Sequence, residues 1–139
     1  MKVLRLTALT IVAVFTSTIA AQAASCVAGD VRGRTWYAYV NYAGGWTRCI
    51  VQVLSTGAVA ARANGCRSYD ESTGTFTTFD VTAGGSLGVN SACLVTGQIK
   101  TDAGTHTVTE ARLDPGKTVL VGAGRDGNGD AWTFSAVRN

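Results

Sequence analysis

Residues 35–54 read TWYAYVNYAGGWTRCIVQVL, and this stretch decides the fold class of the chain. Two runs rich in aromatic and β-branched residues flank Ala43-Gly44-Gly45. Such side chains favour β-strands, and glycine supplies the positive φ of a tight turn without a Cβ clash. The stretch therefore predicts a β-hairpin whose second strand covers residues 46–54.

The same alternation of strand-like runs and turn residues continues to the C-terminus. Further turn signals lie at Thr56-Gly57, Ser72-Thr73-Gly74, Ala83-Gly84-Gly85, Asp102-Ala103-Gly104, Asp114-Pro115-Gly116 and Asp126-Gly127-Asn128-Gly129. The runs 75–79, 93–99, 105–113 and 132–137 alternate apolar and polar residues, as half-buried strands do. Since no stretch after residue 24 keeps a helical period, we predict one all-β domain of eight or nine short antiparallel strands.

The type of one turn can be predicted more closely. In Asp114-Pro115-Gly116-Lys117, proline presets φ at the second position and glycine accepts positive φ at the third. This pattern is typical of a type II turn.

The short connections between strands limit the architecture. They favour a meander, and a meander of this size closes into a barrel or folds into two packed sheets. Closure removes the exposed strand edges that invite pairing with other chains. We therefore predict a small antiparallel barrel, with a two-sheet sandwich as the alternative.

Residues 1–23 have the composition of a cleaved secretory signal peptide. Lys2 and Arg5 precede an apolar run from Leu6 to Ala20, and Ala21-Gln22-Ala23 places small residues where a signal peptidase reads them. The remaining domain, residues 24–139, has no second apolar run that could span a membrane. The sequence thus predicts a periplasmic or extracellular protein.

Removal of this segment also changes the charge. The chain has 12 Lys and Arg against 9 Asp and Glu, for a net charge of +3, and Lys2 and Arg5 would leave with the segment. The remaining domain would carry a net charge of about +1, which gives no electrostatic argument for a nucleic-acid partner.

Four cysteines, Cys26, Cys49, Cys66 and Cys93, lie after the predicted cleavage site. An even number in a small exported domain predicts disulfides, whereas a zinc site would need closely spaced pairs of cysteines. If residues 55–58 turn a hairpin, Cys49 and Cys66 face each other across two strands within disulfide reach. That pairing leaves Cys26 with Cys93, although the other two pairings of four cysteines stay open.

The first hairpin also contains the candidate ligand-binding residues. Alternation along the strand places Trp36 and Tyr42 on one face and Tyr37 and Tyr39 on the other, so one of these sets cannot lie in the core. The candidate residues are Arg34, Trp36, Tyr37, Tyr39, Tyr42, Trp46 and Arg48. Exposed aromatic rings with stacked arginines suit a small molecule, a glycan or a protein partner, and cross-strand packing that stabilises the sheet is the alternative.

Two other features could indicate chemistry. His106, the only histidine, has no nucleophile signature beside it, and we interpret it as a strand residue next to a turn. Asp126, Asn128 and Asp130 match the first three ligand positions of a calcium loop, but Ala131 replaces the required glycine and Val137 the final glutamate. The sequence thus predicts a hairpin turn here, leaving a weak calcium site open, and predicts no metal site, no cofactor and no enzymatic activity.

The start of the first strand resembles that of ligand-binding barrels of the lipocalin and avidin type. Those barrels place Gly-x-Trp early in the first strand, and in lipocalins this Trp often packs against an Arg near the end of the chain. Here Gly33-Arg34-Thr35-Trp36 has two residues between glycine and tryptophan instead of one, and Arg138 lies near the end of the chain. The resemblance covers only these few positions, and no family is assigned from it.

These observations together favour an exported, non-enzymatic binding module. It would recognise a small molecule, a glycan or a protein through the aromatic hairpin or the mouth of the barrel. The alternative is a structural or surface-assembly subunit that packs against copies of itself.

Overall fold

Eight antiparallel strands follow one another around a closed barrel in the computed structural model, which describes residues 25–139. The strands are β1 (Arg34–Tyr42), β2 (Gly45–Val53), β3 (Arg62–Asp70), β4 (Thr75–Val89), β5 (Leu94–Thr101), β6 (Gly104–Leu113), β7 (Val119–Arg125) and β8 (Ala131–Arg138). Each strand pairs with its neighbours in the sequence, and β8 closes the ring by pairing with β1. The predicted all-β barrel is confirmed, and the two-sheet sandwich is excluded.

One predicted turn is wrong. Ala83-Gly84-Gly85 does not end a strand but forms an irregularity inside β4, where the register with β5 shifts between Thr82 and Ser86. A Cβ atom at Gly85 would lie 2.6 Å from the carbonyl oxygen of Gln98 on β5. Glycine therefore lets the two backbones approach while the bulge bends the long strand around the barrel.

The turn at Asp114–Lys117 lies where predicted but is not of type II. Lys117 takes the positive φ, 58°, and Gly116 does not. The Asp114 carboxylate accepts hydrogen bonds from the backbone N–H groups of Gly116, Thr118 and Val119, and these also hold the pKa of that carboxyl below its ordinary value. The Lys117 ammonium also reaches Asp30, 2.9 Å away, which connects this turn to the segment before β1.

The two ends of the barrel differ. Residues 25–33, with a single 3-10 turn at Ala28–Asp30, cover the end where β1 begins. Val31 is completely buried there, and its carbonyl oxygen accepts a hydrogen bond from the Trp36 indole at 3.3 Å. The four hairpin turns β1–β2, β3–β4, β5–β6 and β7–β8 form the opposite end, which we call the mouth.

Both predicted disulfides are confirmed. Cys49 and Cys66 lie directly opposite each other in β2 and β3, with their Cα atoms 4.1 Å apart. Cys26 is bonded to Cys93, which ties the covering segment to the β4–β5 connection. Two disulfides are consistent with a secreted or periplasmic protein.

The predicted signal peptide, residues 1–23, lies outside the described residues. Between residues 25 and 139, no helix has the length and hydropathy of a membrane span.

The interior is built from alternate residues of every strand. On β1 these are Trp36, Ala38 and Val40, and on β8 they are Phe134 and Ala136. The pairing of β1 with β8 also places Arg138 directly opposite Trp36, which is the neighbourhood that the resemblance to lipocalin-type barrels implies.

Candidate ligand-binding site

The barrel encloses a cavity of about 690 Å³, to which all eight strands contribute residues. It reaches the mouth, where Ala43, Ala103, Asp126 and Ala131 belong to the hairpin turns or border them. Pockets for small molecules in proteins are of this size, roughly 300–1,000 Å³. The cavity is the main candidate site of the described chain.

The deep part of the cavity is apolar because inward-facing positions carry aliphatic and aromatic residues. Trp36, Leu87, Val95 and Leu120 line it and are almost completely buried. Higher up, Ala38 on β1 lies opposite Ala136 on β8 and Cys49 on β2. Small residues on adjacent strands leave the space that larger side chains would fill.

The part of the mouth formed by β1–β3 carries hydroxyl groups. The Tyr42 hydroxyl is hydrogen-bonded to the Ser68 hydroxyl, and the Thr47 hydroxyl donates to Ser68 Oγ at 3.0 Å. All three side chains line the cavity. They form a small polar network that can exchange hydrogen bonds with a ligand at the mouth.

Across the mouth, Thr101 on β5 contacts His106 on β6. The Thr101 hydroxyl donates its single hydrogen to the carbonyl oxygen of Gly104, 3.1 Å away, so His106 Nε2 must donate to Thr101 Oγ1 at 3.2 Å. The neutral ring then carries its proton on Nε2, and Nδ1 is an acceptor. Burial lowers the pKa of His106 below 6.5, although the negative charge of Asp126 partly opposes this effect.

A threonine, a histidine and an aspartate close together invite comparison with a nucleophile, base and acid. In a catalytic triad the hydroxyl donates to the histidine and the acid accepts from the other ring nitrogen. Here the histidine donates to Thr101, and Asp126 Oδ1 accepts from the backbone N–H groups of Asn128 and Asp130. The arrangement holds the imidazole at the mouth, and the described residues show no hydrogen bond between this ring and the Asp126 carboxylate.

We expect the half-buried, neutral state of His106 to make the stability of the protein depend on pH. The unfolded chain takes up a proton near pH 6.5, whereas the folded chain takes it up only at lower pH, so this contribution to stability falls as pH drops below 6.5. Urea unfolding at about pH 7.5 and about pH 5.5 should show a loss of stability in the wild type that is smaller in His106→Gln. An equal loss in both proteins would contradict this account, since the chain has no other histidine.

The predicted turn at residues 126–130 is confirmed as the connection between β7 and β8. Asp126 Oδ1 accepts the N–H groups of Asn128 and Asp130, each at 2.9 Å, and the backbone N–H of Asp126 also donates to the carbonyl oxygen of Asp130 at 3.0 Å. In the part of the chain that the structure describes, no three His, Cys, Asp or Glu side chains are grouped as metal ligands.

Trp132, which follows this turn on β8, forms part of the cavity wall. It is 8% exposed, and its ring lies 6.4 Å from that of His106 between centroids. A side chain at Gly124, its partner on β7, would collide with the indole, so glycine gives the ring its place. The buried Nε1 hydrogen of Trp132 has no acceptor among residues 25–139.

The structure divides the predicted site residues among three places. Trp36 and Tyr42 line the cavity, whereas Arg34 is exposed at the covered end of the barrel. The other four, Tyr37, Tyr39, Trp46 and Arg48, lie on the outer face. Sequence reasoning missed the contributions of later strands, above all Trp132, Phe134 and Ala136, although their strict alternation along β8 was a usable signal.

Tyr39 and Trp46 belong to an aromatic row on the outer face of β1–β4, which Tyr69 and Phe76 complete, whereas Tyr37 is exposed outside this row. Successive ring centroids are 5.5, 5.8 and 4.9 Å apart. The Arg48 guanidinium lies 5.5 Å from the centre of the Trp46 ring, and that of Arg67 lies 4.2 Å from the Phe76 ring. Arg34 makes no such contact within residues 25–139. Because these rings and arginines pack on one another, the row favours cross-strand stabilisation of the sheet.

We expect Phe76→Ala to lower the free energy of unfolding by about 1 kcal/mol, because Phe76 packs on Trp46, Tyr69 and Arg67 although half of its surface is exposed. Val137→Ala is the matched control, since Val137 is equally exposed on β8. The control should change stability by less than about 0.5 kcal/mol in the same urea titration. If both variants lost equal stability, the row would contribute nothing beyond exposed apolar area.

Comparison with known proteins gives no family for this chain. No family model matches it, and no curated protein sequence or solved structure matches it either.

Proposed function

We propose that this protein is an exported, non-enzymatic carrier that holds one small, largely apolar molecule inside the barrel. The observation that carries the proposal is the cavity of about 690 Å³, covered at one end and lined mostly by apolar side chains. Export is supported by the two disulfides and by the predicted signal peptide.

The shape of the site supports a small ligand better than a macromolecule. A chain-like or ring-like molecule can bury most of its surface between Trp36, Val40 and Phe134, which no extended polymer can do in a barrel covered at its far end. The closed ladder and the two disulfides keep the walls in place before the ligand arrives. A preorganised site loses less entropy on binding.

The alternative, a subunit that assembles with copies of itself, has less support. Every strand of the described barrel already has two partners, so no edge is free to extend a sheet. The outer aromatic row is the remaining candidate contact.

The test is a substitution that reduces the free volume of the cavity. Ala38 lies on the cavity wall opposite Ala136, and Ala38→Phe places a ring in the empty space. We expect wild type to bind 1-octanol in a calorimetric titration and Ala38→Phe to bind it at least about tenfold more weakly, since the ring takes up ligand volume. Tyr37→Ala, on the outer face of the same strand, is the control and should bind as wild type does.

The comparison is valid if far-ultraviolet circular dichroism and the unfolding midpoint show that Ala38→Phe keeps the barrel. Equal binding by wild type and Ala38→Phe would place the ligand elsewhere. Loss of binding in Tyr37→Ala alone would move the site to the outer face of β1.

A further inference from the structure

We infer that the ligand is an amphipathic cation, whose apolar body fills the barrel and whose positively charged head is held at the mouth by Asp126 and Asp130. This inference rests on the proposed function and specifies the chemical class of ligand for the same cavity.

The first argument is the charge of the cavity wall. Among the described residues that line it, only Asp126 and Asp130 carry a full charge at neutral pH, and no lysine or arginine lines it. His106 is neutral there because burial disfavours its protonated form. An anionic head would meet two carboxylates without a compensating cation, whereas a cationic head would meet its complement.

The second argument is that these carboxylates have bonding capacity to spare. Asp126 uses Oδ1 to close its turn, while its Oδ2 and both carboxylate oxygens of Asp130 have no hydrogen-bond or ion-pair partner within residues 25–139. Arg125, the nearest cation in the sequence, donates from Nη1 to the carbonyl oxygen of Gly129 at 2.8 Å. An ammonium group with several N–H donors would satisfy the unused oxygens.

The third argument is the aromatic surroundings of the carboxylates. Trp132 lies two residues after Asp130, is 92% buried and lines the cavity next to His106. The faces of tryptophan rings attract cations, most strongly where water is excluded. The Nε1 hydrogen of Trp132 has no partner among residues 25–139, so it can donate to an acceptor atom elsewhere on a bound ligand.

The distribution of charge over the barrel also favours a cationic ligand at the mouth. The turns of the mouth and the strand residues beside them hold five acids, Asp70, Glu71, Asp102, Asp126 and Asp130, against the one cation Arg125. The covered end instead carries the cations Arg32, Arg34, Arg62, Lys117 and Arg138, opposed by Asp30 and Asp114. A negative field at the mouth raises the local concentration of cations and speeds their entry.

The experiment compares three probes that share one apolar chain: octylammonium, 1-octanol and octyl sulfate. Each is titrated calorimetrically into the wild-type protein at neutral pH and low ionic strength. We expect octylammonium to bind about tenfold more tightly than 1-octanol, and octyl sulfate to bind most weakly, because two partly exposed carboxylates contribute modestly each.

The matched variant is Asp126→Asn with Asp130→Asn. Asparagine keeps an Oδ1 acceptor at position 126, so the turn can still close on the N–H groups of Asn128 and Asp130. We expect the double variant to bind 1-octanol as wild type does and to lose most of its preference for octylammonium. Glu71→Gln is the control, because Glu71 lies at the mouth but does not line the cavity.

The titrations can contradict the inference alone or the carrier proposal together with it. Binding of 1-octanol with no preference for octylammonium, or a preference for octyl sulfate, would overturn the inference and leave the carrier proposal standing. A preference for octylammonium that survives in the double variant would also overturn it. If none of the three probes binds, both the carrier proposal and the inference are wrong.

Discussion

Alanine at both Cys26 and Cys93 is expected to lower the free energy of unfolding by about 4 kcal/mol, whereas alanine at both Cys49 and Cys66 should lower it by about 3 kcal/mol. The order follows from chain entropy, because the first bond joins residues 67 positions apart and the second joins residues 17 apart. The longer loop restricts the unfolded chain more strongly. The Cys26–Cys93 bond also fixes the segment that covers the barrel.

Guanidinium unfolding of the two double variants, followed by circular dichroism, measures both losses. Intact protein without reductant is the reference, and the slope of the transition should increase in the variants, because an unfolded chain without the cross-link exposes more surface. A larger loss for the Cys49–Cys66 pair would show that the local bond between two strands matters more than the connection to the covering segment.

Trp36→Ala should lower the free energy of unfolding by about 3–5 kcal/mol, the range found for large aromatic residues truncated in cores. Trp36 is only 2% exposed, and its indole donates to the carbonyl oxygen of Val31 beneath the barrel. Its removal empties the floor of the cavity and leaves a buried acceptor unpaired. Trp36→Phe keeps most of the ring and should lose less, about 1–2 kcal/mol.

Trp46→Ala is the natural comparison, because both tryptophans belong to the first hairpin but only Trp36 faces inward. We expect Trp46→Ala to lose clearly less stability than Trp36→Ala in the same urea titration. The reverse order would contradict the assignment of inner and outer faces on which the candidate site depends.

Much of the fold could be predicted from local chemistry. Turn residues recur between runs of strand formers, and a hairpin near Thr56-Gly57 was enough to place Cys49 opposite Cys66. The errors arose where hydrogen bonding and close packing override turn composition. Gly84-Gly85 serves the close approach of β5 instead of a turn, and in the turn at Asp114 the side-chain carboxylate binds backbone N–H groups while Lys117 takes the positive φ.

The candidate site was only half visible in the sequence. Alternation showed that Trp36 and Tyr39 point to opposite faces, but which face is inside depends on how β1 pairs with β8, at the other end of the chain. Ala38 and Ala136 lie opposite each other there, and their small side chains leave space in the cavity. His106 was interpreted as a strand residue beside a turn, and its place on the cavity wall follows only from closure of the barrel.

The most direct test of the account is to observe which methyl groups a bound ligand contacts. In a methyl-labelled sample titrated with 1-octanol, the resonances of Val40, Val51 and Val95, which line the cavity, should shift and show intermolecular Overhauser effects to the ligand chain. Val121 and Val137, exposed on the outer face, should stay unchanged. Shifts confined to Val121, Val137 or the outer aromatic row would contradict the claim that this barrel carries its ligand inside.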